Sequence, residues 1–169
     1  MLLFKVTDEG QLETIVELAN IIWYEHFIPI IGKAQVDYML ENFQSKESIT
    51  KQIQNGVIYF LMIENSKAIG YAAITLMGSE LFLNKFYILS DERNKGFGRQ
   101  TLSFLEEVAR GQDCDKISLT VNKNNCKTIK AYQTMGFSNL GSIVLDIGED
   151  FIMDDYKMEK KLNSLEQND

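Results

Sequence analysis

Two segments of the chain carry residues whose types and spacing suit chemistry. The first is Arg93-Asn94-Lys95-Gly96-Phe97-Gly98-Arg99, placed between a strand-like and a helix-like stretch. Two glycines without a Cβ let the backbone curl and come close to a ligand. The N–H groups that open the following helix have no partner within it, so they point at anions with the helix dipole behind them. Arg93, Lys95 and Arg99 add positive charge, and the chemistry suggested is phosphate binding. The same residues also suit a plain helix start with glycines for the turn and solvated basic side chains. A P-loop would need Gly-Lys-Ser/Thr, but Arg99-Gln100 follows Gly98, and the dinucleotide fingerprint wants Gly or Ala where Thr101 stands.

The second segment runs from Val121 to Phe137 and contains Asn125, Ile129, Tyr132 and Gly136. At about 100° per residue these four share one stripe of a helix, so an amide and a phenol lie on one face. The same spacing also suits an N-cap asparagine, a core tyrosine and a glycine stop.

The elements that must position these segments follow from the hydrophobic pattern. Residues 2 to 6 read as a strand. Asp8 with Gln11 three positions later reads as a capping box, opening a helix to about Phe27 with Leu12, Ile15, Val16, Ala19, Ile22, Trp23 and Phe27 on one face. Lys33 to about Asn55 carries helical spacing in two pieces divided near Ser45. Val57 to Ile63 and Ala68 to Met77 read as a hairpin turning at Glu64-Asn65-Ser66-Lys67. Leu81 to Leu89 is a further strand, whose in/out alternation is disturbed at Asn84-Lys85-Phe86 and predicts a bulge or a change of face there. A helix with Leu102, Leu105, Val108 and Ala109 on one side, a strand over Ile117 to Val121, a helix over Cys126 to Met135, and strands at about 137–146 and 151–160 complete the chain.

Composition bounds the function. The chain has 169 residues, of which 45% are hydrophobic and 24% charged, which suits one globular domain over residues 1–162 with a flexible tail at 163–169. The net charge of −7 argues against capture of nucleic acid or an anionic membrane by bulk charge. Between Asp146 and Asp169 eight acidic residues stand against three lysines, so a local charge of −5 lies late in the chain and favours a cationic acceptor if it faces the site. The longest apolar run, Val57 to Ile63, is far short of the roughly 20 residues a bilayer span needs. The start of the chain has no basic leader followed by an apolar stretch, so a cytoplasmic protein is expected. Two cysteines, Cys114 and Cys126, and a single histidine predict neither a disulfide framework nor a metal site.

The succession of strand, Arg93-x-x-Gly96-x-Gly98, helix, strand, then Asn125, Tyr132 and Gly136-Phe137, resembles the GNAT superfamily of acetyl-CoA-dependent N-acetyltransferases. The resemblance implies an α/β fold with a mixed, mainly antiparallel central sheet splayed between strands 4 and 5 and flanked by helices. It implies acetyl-CoA as cosubstrate, with backbone groups of Phe86, Tyr87 and Ile88 beside the pantetheine arm. The pyrophosphate falls to the amides of Asn94, Lys95, Gly96, Phe97, Gly98 and Arg99, with Arg93 opening the motif. It assigns Asn125 to the pantetheine or phosphate arm, and it places Tyr132 at the sulfur as proton donor. Asn94 stands where glycine is usual, and Thr128 where alanine is common.

The reaction implied is acetyl transfer to a primary amine of a small molecule or peptide by direct attack. The alternative is a non-catalytic acyl-CoA-binding or regulatory module of the same fold. An alkylamine with a pKa near about 10.4 must lose a proton first, so a base or a water relay is needed. Glu25 is the expected catalytic carboxylate. His26, Glu80 and the pair Asp154-Asp155 are further candidates, with His26 also reading as a core residue of the first helix. A homodimer is compatible with this reading.

Overall fold

In the computed structural model, which describes residues 1–162, the Asp8 side chain caps α1 (Glu9–His26) by accepting from the Gln11 amide at 2.9 Å. Gln11 reaches back one residue further than a standard capping box, and its Oε1 accepts from the Thr7 amide at 2.8 Å. The expected tail, 163–169, lies outside the described residues. Leu12, Ile15, Leu18, Ala19, Ile22 and Trp23 form the buried stripe of α1. Pro29 opens the single turn α2 (Ile28–Ile31), and Gly32 at φ +81° redirects the chain into α3 (Lys33–Phe43). Ser45 then caps α4 (Lys46–Gln54), at the break expected from the sequence.

These helices belong to a first compact unit, Met1–Thr75 with Asn84–Thr101. In it β1 (Leu2–Lys5) pairs antiparallel with β2 (Ile58–Glu64), and β2 with β3 (Lys67–Met77). The β2–β3 turn is tighter than the four residues expected, because Asn65 and Ser66 both take positive φ, 48° and 62°, as a two-residue hairpin requires. Ile69 to Ile74 are buried on both faces of β3, the pattern of a central strand. Each fully buried large side chain, such as Ile15 or Ile74, contributes on the order of 2 kcal/mol.

The second unit comprises Leu76–Leu83 and Leu102 onward. There the first residues of β4 (Glu80–Ile88) pair in parallel with β5 (Lys116–Asn122), from Glu80–Lys116 to Phe82–Ser118. Antiparallel pairs join β5 to β7 (Phe151–Lys161) and β7 to β6 (Ser138–Gly148). Leu102, Leu105 and Ala109 of α5 (Phe97–Arg110) are buried, and Glu106 holds Lys160 of β7 at 2.5 Å. Helix α6 (Cys126–Thr134) ends where Gly136 takes φ +94°. Among the described residues, hydrogen-bonded neighbours give seven strands in the order β1-β2-β3-β4-β5-β7-β6. The sheet is therefore mixed and mainly antiparallel, and β4–β5 is its parallel pair. Among the described residues no helix is long and apolar enough to cross a membrane.

The end of β4 depends on one close approach. A Cβ on Gly70 of β3 would stand 2.3 Å from the Tyr87 carbonyl oxygen and 3.1 Å from the Ile88 Cα, both backbone atoms. Gly70→Ala is therefore expected to destabilise the protein by about 2 kcal/mol or more, since a strand and not a side chain has to move. A lower urea midpoint with an unchanged m-value is the expected result.

Candidate active site

Strand β4 alternates between more and less buried residues from Glu80 to Phe86, which corrects the disturbance expected at Asn84-Lys85-Phe86. Leu81, Leu83 and Lys85 are all buried, so the irregularity lies in the type of residue at 85 and not in its facing. Beyond it the strand end is two-faced. The Tyr87 ring packs against Trp23, Phe27 and Tyr71 at 5.7, 5.9 and 5.3 Å. Phe86 and Ile88 face the other way, each with an atom 3.9 Å from where a Cβ on Gly98 would stand.

The connection from β4 into α5 brings the predicted loop residues together. Asn94 takes φ +62° and Gly96 φ +87°, so asparagine adopts the left-handed geometry expected of a glycine at 94, as this residue type tolerates. The first i to i−4 bond of α5 runs from the Gln100 amide to the Gly96 carbonyl at 3.1 Å. The amides of Gly96, Phe97, Gly98 and Arg99 thus precede the helix's own ladder, and helix geometry leaves them without an intrahelical acceptor. Gly98 needs no positive φ and has open space of ordinary contact distance around it, so packing within the chain does not require a glycine there. A glycine in the first helical turn costs up to about 1 kcal/mol against alanine, and close approach of an anionic ligand to the backbone is the physical reason to keep it. The Lys95 ammonium turns back to Glu92 at 2.9 Å, and Arg99 is exposed.

Arg93 is not aimed outward. Its Nε donates to the Ile88 carbonyl at 2.9 Å, and Nη1 lies 3.2 Å from Nδ1 of His26. Burial lowers its pKa, while the charge of Glu25 works the other way. His26 is half-buried in the last turn of α1 and not at the centre of the core, which revises that part of the sequence reading. Glu25 is exposed, and its Oε1 accepts from Ser90 Oγ at 2.6 Å.

Asn125 and Tyr132 lie in the second unit, and both are buried. Asn125 occupies the N-cap position of α6 without making a side-chain cap bond. The Tyr132 ring packs edge-on against Phe137 at 5.3 Å, and burial pushes its phenol pKa well up. Of the other carboxylates considered, Glu80 accepts from Ser118 Oγ and pairs with Lys116 at 3.6 Å, so it is committed to the β4–β5 pair. Asp154 pairs with Lys123. Asp155 is buried, and burial raises its pKa against a hydrogen bond from Thr120.

The model of the acetyltransferase (GNAT) family matches residues 17–137. The chain belongs to this family. A curated relative, the uncharacterised N-acetyltransferase YobR of Bacillus subtilis, is 21% identical over 117 residues, which are 69% of this chain. The match spans only 45% of that relative's length. Among solved structures, the PaiA N-acetyltransferase from Thermoplasma acidophilum in complex with coenzyme A is similar with a TM-score of 0.76 at 20% identity. That similarity covers 96% of this chain and 100% of the other. The ribosomal-protein-alanine N-acetyltransferase of Brucella melitensis is similar with a TM-score of 0.71 at 21% identity, covering 96% and 100%. These structures share the GNAT fold with this chain.

Sequence reasoning missed Lys85 as a site-forming residue of this GNAT domain. Its ammonium donates to the Phe43 carbonyl at 2.7 Å and to Gln44 Oε1 at 3.2 Å, capping the C-terminal end of α3. Gln44 Oε1 also accepts from Tyr71 at 3.1 Å. Lys85 is only 8% exposed, and burial pushes its pKa down to about 7, whereas its two acceptors and the helix end favour the charge. The signal was present in the sequence as an interruption of the strand's apolar alternation.

The unfolded chain holds the Lys85 proton to about 10.5 and the folded chain only to about 7, so the unfolded state binds more protons between those values. Stability should therefore rise with pH across that window. Lys85→Met is expected to flatten the rise, whatever its effect at neutral pH, and urea titrations at pH 7, 8 and 9 read the difference in slope.

Proposed function

We propose that the chain transfers an acetyl group from acetyl-CoA to a primary amine of a small molecule or peptide, with residues 1 to 162 working as one transferase domain. The observation that carries the reading is the set of amides from Gly96 to Arg99 at the start of α5, presented by a loop whose φ values at Asn94 and Gly96 suit backbone contact with a diphosphate. Backbone groups of Phe86, Tyr87 and Ile88 continue from that anchor along the pantetheine arm. Family resemblance assigns Asn125 to the same arm and Tyr132 to the sulfur. The chemistry needs no metal.

The amine nitrogen attacks the thioester carbon, the N–C bond forms as the C–S bond breaks, and amide groups of β4 stabilise the developing oxyanion. A phenol whose pKa burial has raised keeps its proton at neutral pH. Its role at a departing thiolate, whose conjugate acid has a pKa near about 8.5, is accordingly hydrogen-bond donation before proton delivery. The amine proton leaves through a carboxylate or a water relay. Glu25 keeps that assignment, because Glu80 is engaged in the β4–β5 pair while Glu25 is exposed with one oxygen on Ser90.

Thiol release from acetyl-CoA in the presence of a panel of polyamines, amino acids, aminoglycosides and short peptides tests the reading. Turnover with any amine supports it, and stabilisation by acetyl-CoA without turnover would indicate a non-catalytic binder instead. Gly98→Ala should fold, since its Cβ meets nothing closer than 3.9 Å, but should weaken coenzyme A binding by about tenfold or more. Tyr132→Phe should leave coenzyme A affinity unchanged and lower kcat by about tenfold or more, read in steady-state kinetics.

A further inference from the structure

The last turn of α1 meets the β4–α5 connection at two points, Glu25 Oε1 with Ser90 Oγ at 2.6 Å and His26 Nδ1 with Arg93 Nη1 at 3.2 Å. A guanidinium has donors and no acceptor, so the second contact requires an unprotonated Nδ1 on His26. The same guanidinium holds the Ile88 carbonyl at 2.9 Å, which ties the end of β4 and the start of the loop to the histidine. The His26 ring stands edge-on to Phe27 at 4.8 Å, and Phe27 stacks on Trp23 at 4.4 Å, so the imidazole is held in place by packed aromatic groups.

We propose that His26 is a positioning residue for the coenzyme loop: while its ring is neutral it accepts from Arg93 and fixes the connection from which Gly96 to Arg99 present their amides. Protonation of the ring removes the acceptor and sets two cations side by side, so the loop is released as the pH falls through the histidine range. The inference rests on the reading of this loop as the coenzyme A diphosphate site.

On α1 the neighbouring carboxylate is Glu25, whose charge favours the Arg93 cation. From the β4–α5 connection, Asp91 and Glu92 lie within reach of Lys67 at 3.8 and 3.7 Å, and Glu92 also holds Lys95. From β4, the Tyr87 ring packs on Trp23 and Phe27. Arg93 is thus the cation in direct contact with the imidazole.

The test is coenzyme A binding by calorimetry between pH 5.5 and 8 for the wild type, His26→Gln and Arg93→Gln, with unliganded melting curves at each pH to establish folding. Glutamine at 26 offers an oxygen acceptor that does not titrate, and glutamine at 93 removes the second cation. The coenzyme's own phosphates titrate equally in all three. The expected result is a loss of affinity on acidification that is about tenfold larger in the wild type than in either variant, with His26→Gln close to the wild type at pH 8. Equal pH dependence in the wild type and His26→Gln, with binding intact, would overturn the positioning role alone. Absence of coenzyme A binding in the folded wild type at every pH would overturn the functional reading, and this inference with it.

Discussion

Four amide groups at the start of α5 cannot be satisfied by the helix that contains them, and much of the first unit is arranged around their presentation. A helix N-terminus contributes roughly 0.3 to 1 kcal/mol toward a nearby anion, and more where solvent is excluded. That modest sum becomes a binding site only if the donors converge, which the left-handed residues Asn94 and Gly96 and the bare backbone at Gly98 allow. Alignment of the loop is held from behind. Arg93 pins it to the last carbonyl of β4, and β4 in turn lies against β3 at Gly70, where no Cβ would fit.

The end of β4 serves two layers at once because a strand alternates its side chains. Phe86 and Ile88 line the ground beside Gly98, whereas Lys85 and Tyr87 reach into the layer made by α1, α3 and α4. A lysine on the inward face is costly in isolation. Here its ammonium shares the Phe43 carbonyl at the end of α3 with Gln52 Nε2 and shares Gln44 with Tyr71, while Tyr59 beneath it donates to Gln52 at 2.8 Å. Buried polar groups that satisfy one another fix a single arrangement of the α3–α4 turn on the strand. In the second unit the corresponding polar knot is Lys116 between Glu80 and Glu159 at 3.6 and 3.3 Å, which registers the parallel pair.

Much of this was legible in the sequence. Helix α1, the break at Ser45, the β2–β3 and β6–β7 hairpins and the helix after Gly98 follow from periodicity and caps, which are local signals. The family was legible from glycine spacing and the Asn125–Tyr132–Gly136 pattern, and the match over residues 17–137 agrees. What escaped was non-local. Lys85 shows in the sequence only as a break in the strand's apolar alternation, because its partners, the carbonyl of residue 43 and the side-chain amide oxygen of residue 44, lie about 40 residues away. Arg93 opens the glycine motif in the sequence, and the contacts of its guanidinium with residues 26 and 88 are likewise non-local. Glu80 was weighed as a base without sight of Ser118, 38 residues on.

A crystal structure of the protein with coenzyme A bound is the most direct measurement of the central claim. The account predicts diphosphate oxygens within hydrogen-bond distance, about 3 Å, of the main-chain nitrogens of Phe97, Gly98 and Arg99. A diphosphate held by side chains elsewhere, with those three nitrogens facing only solvent, would contradict it.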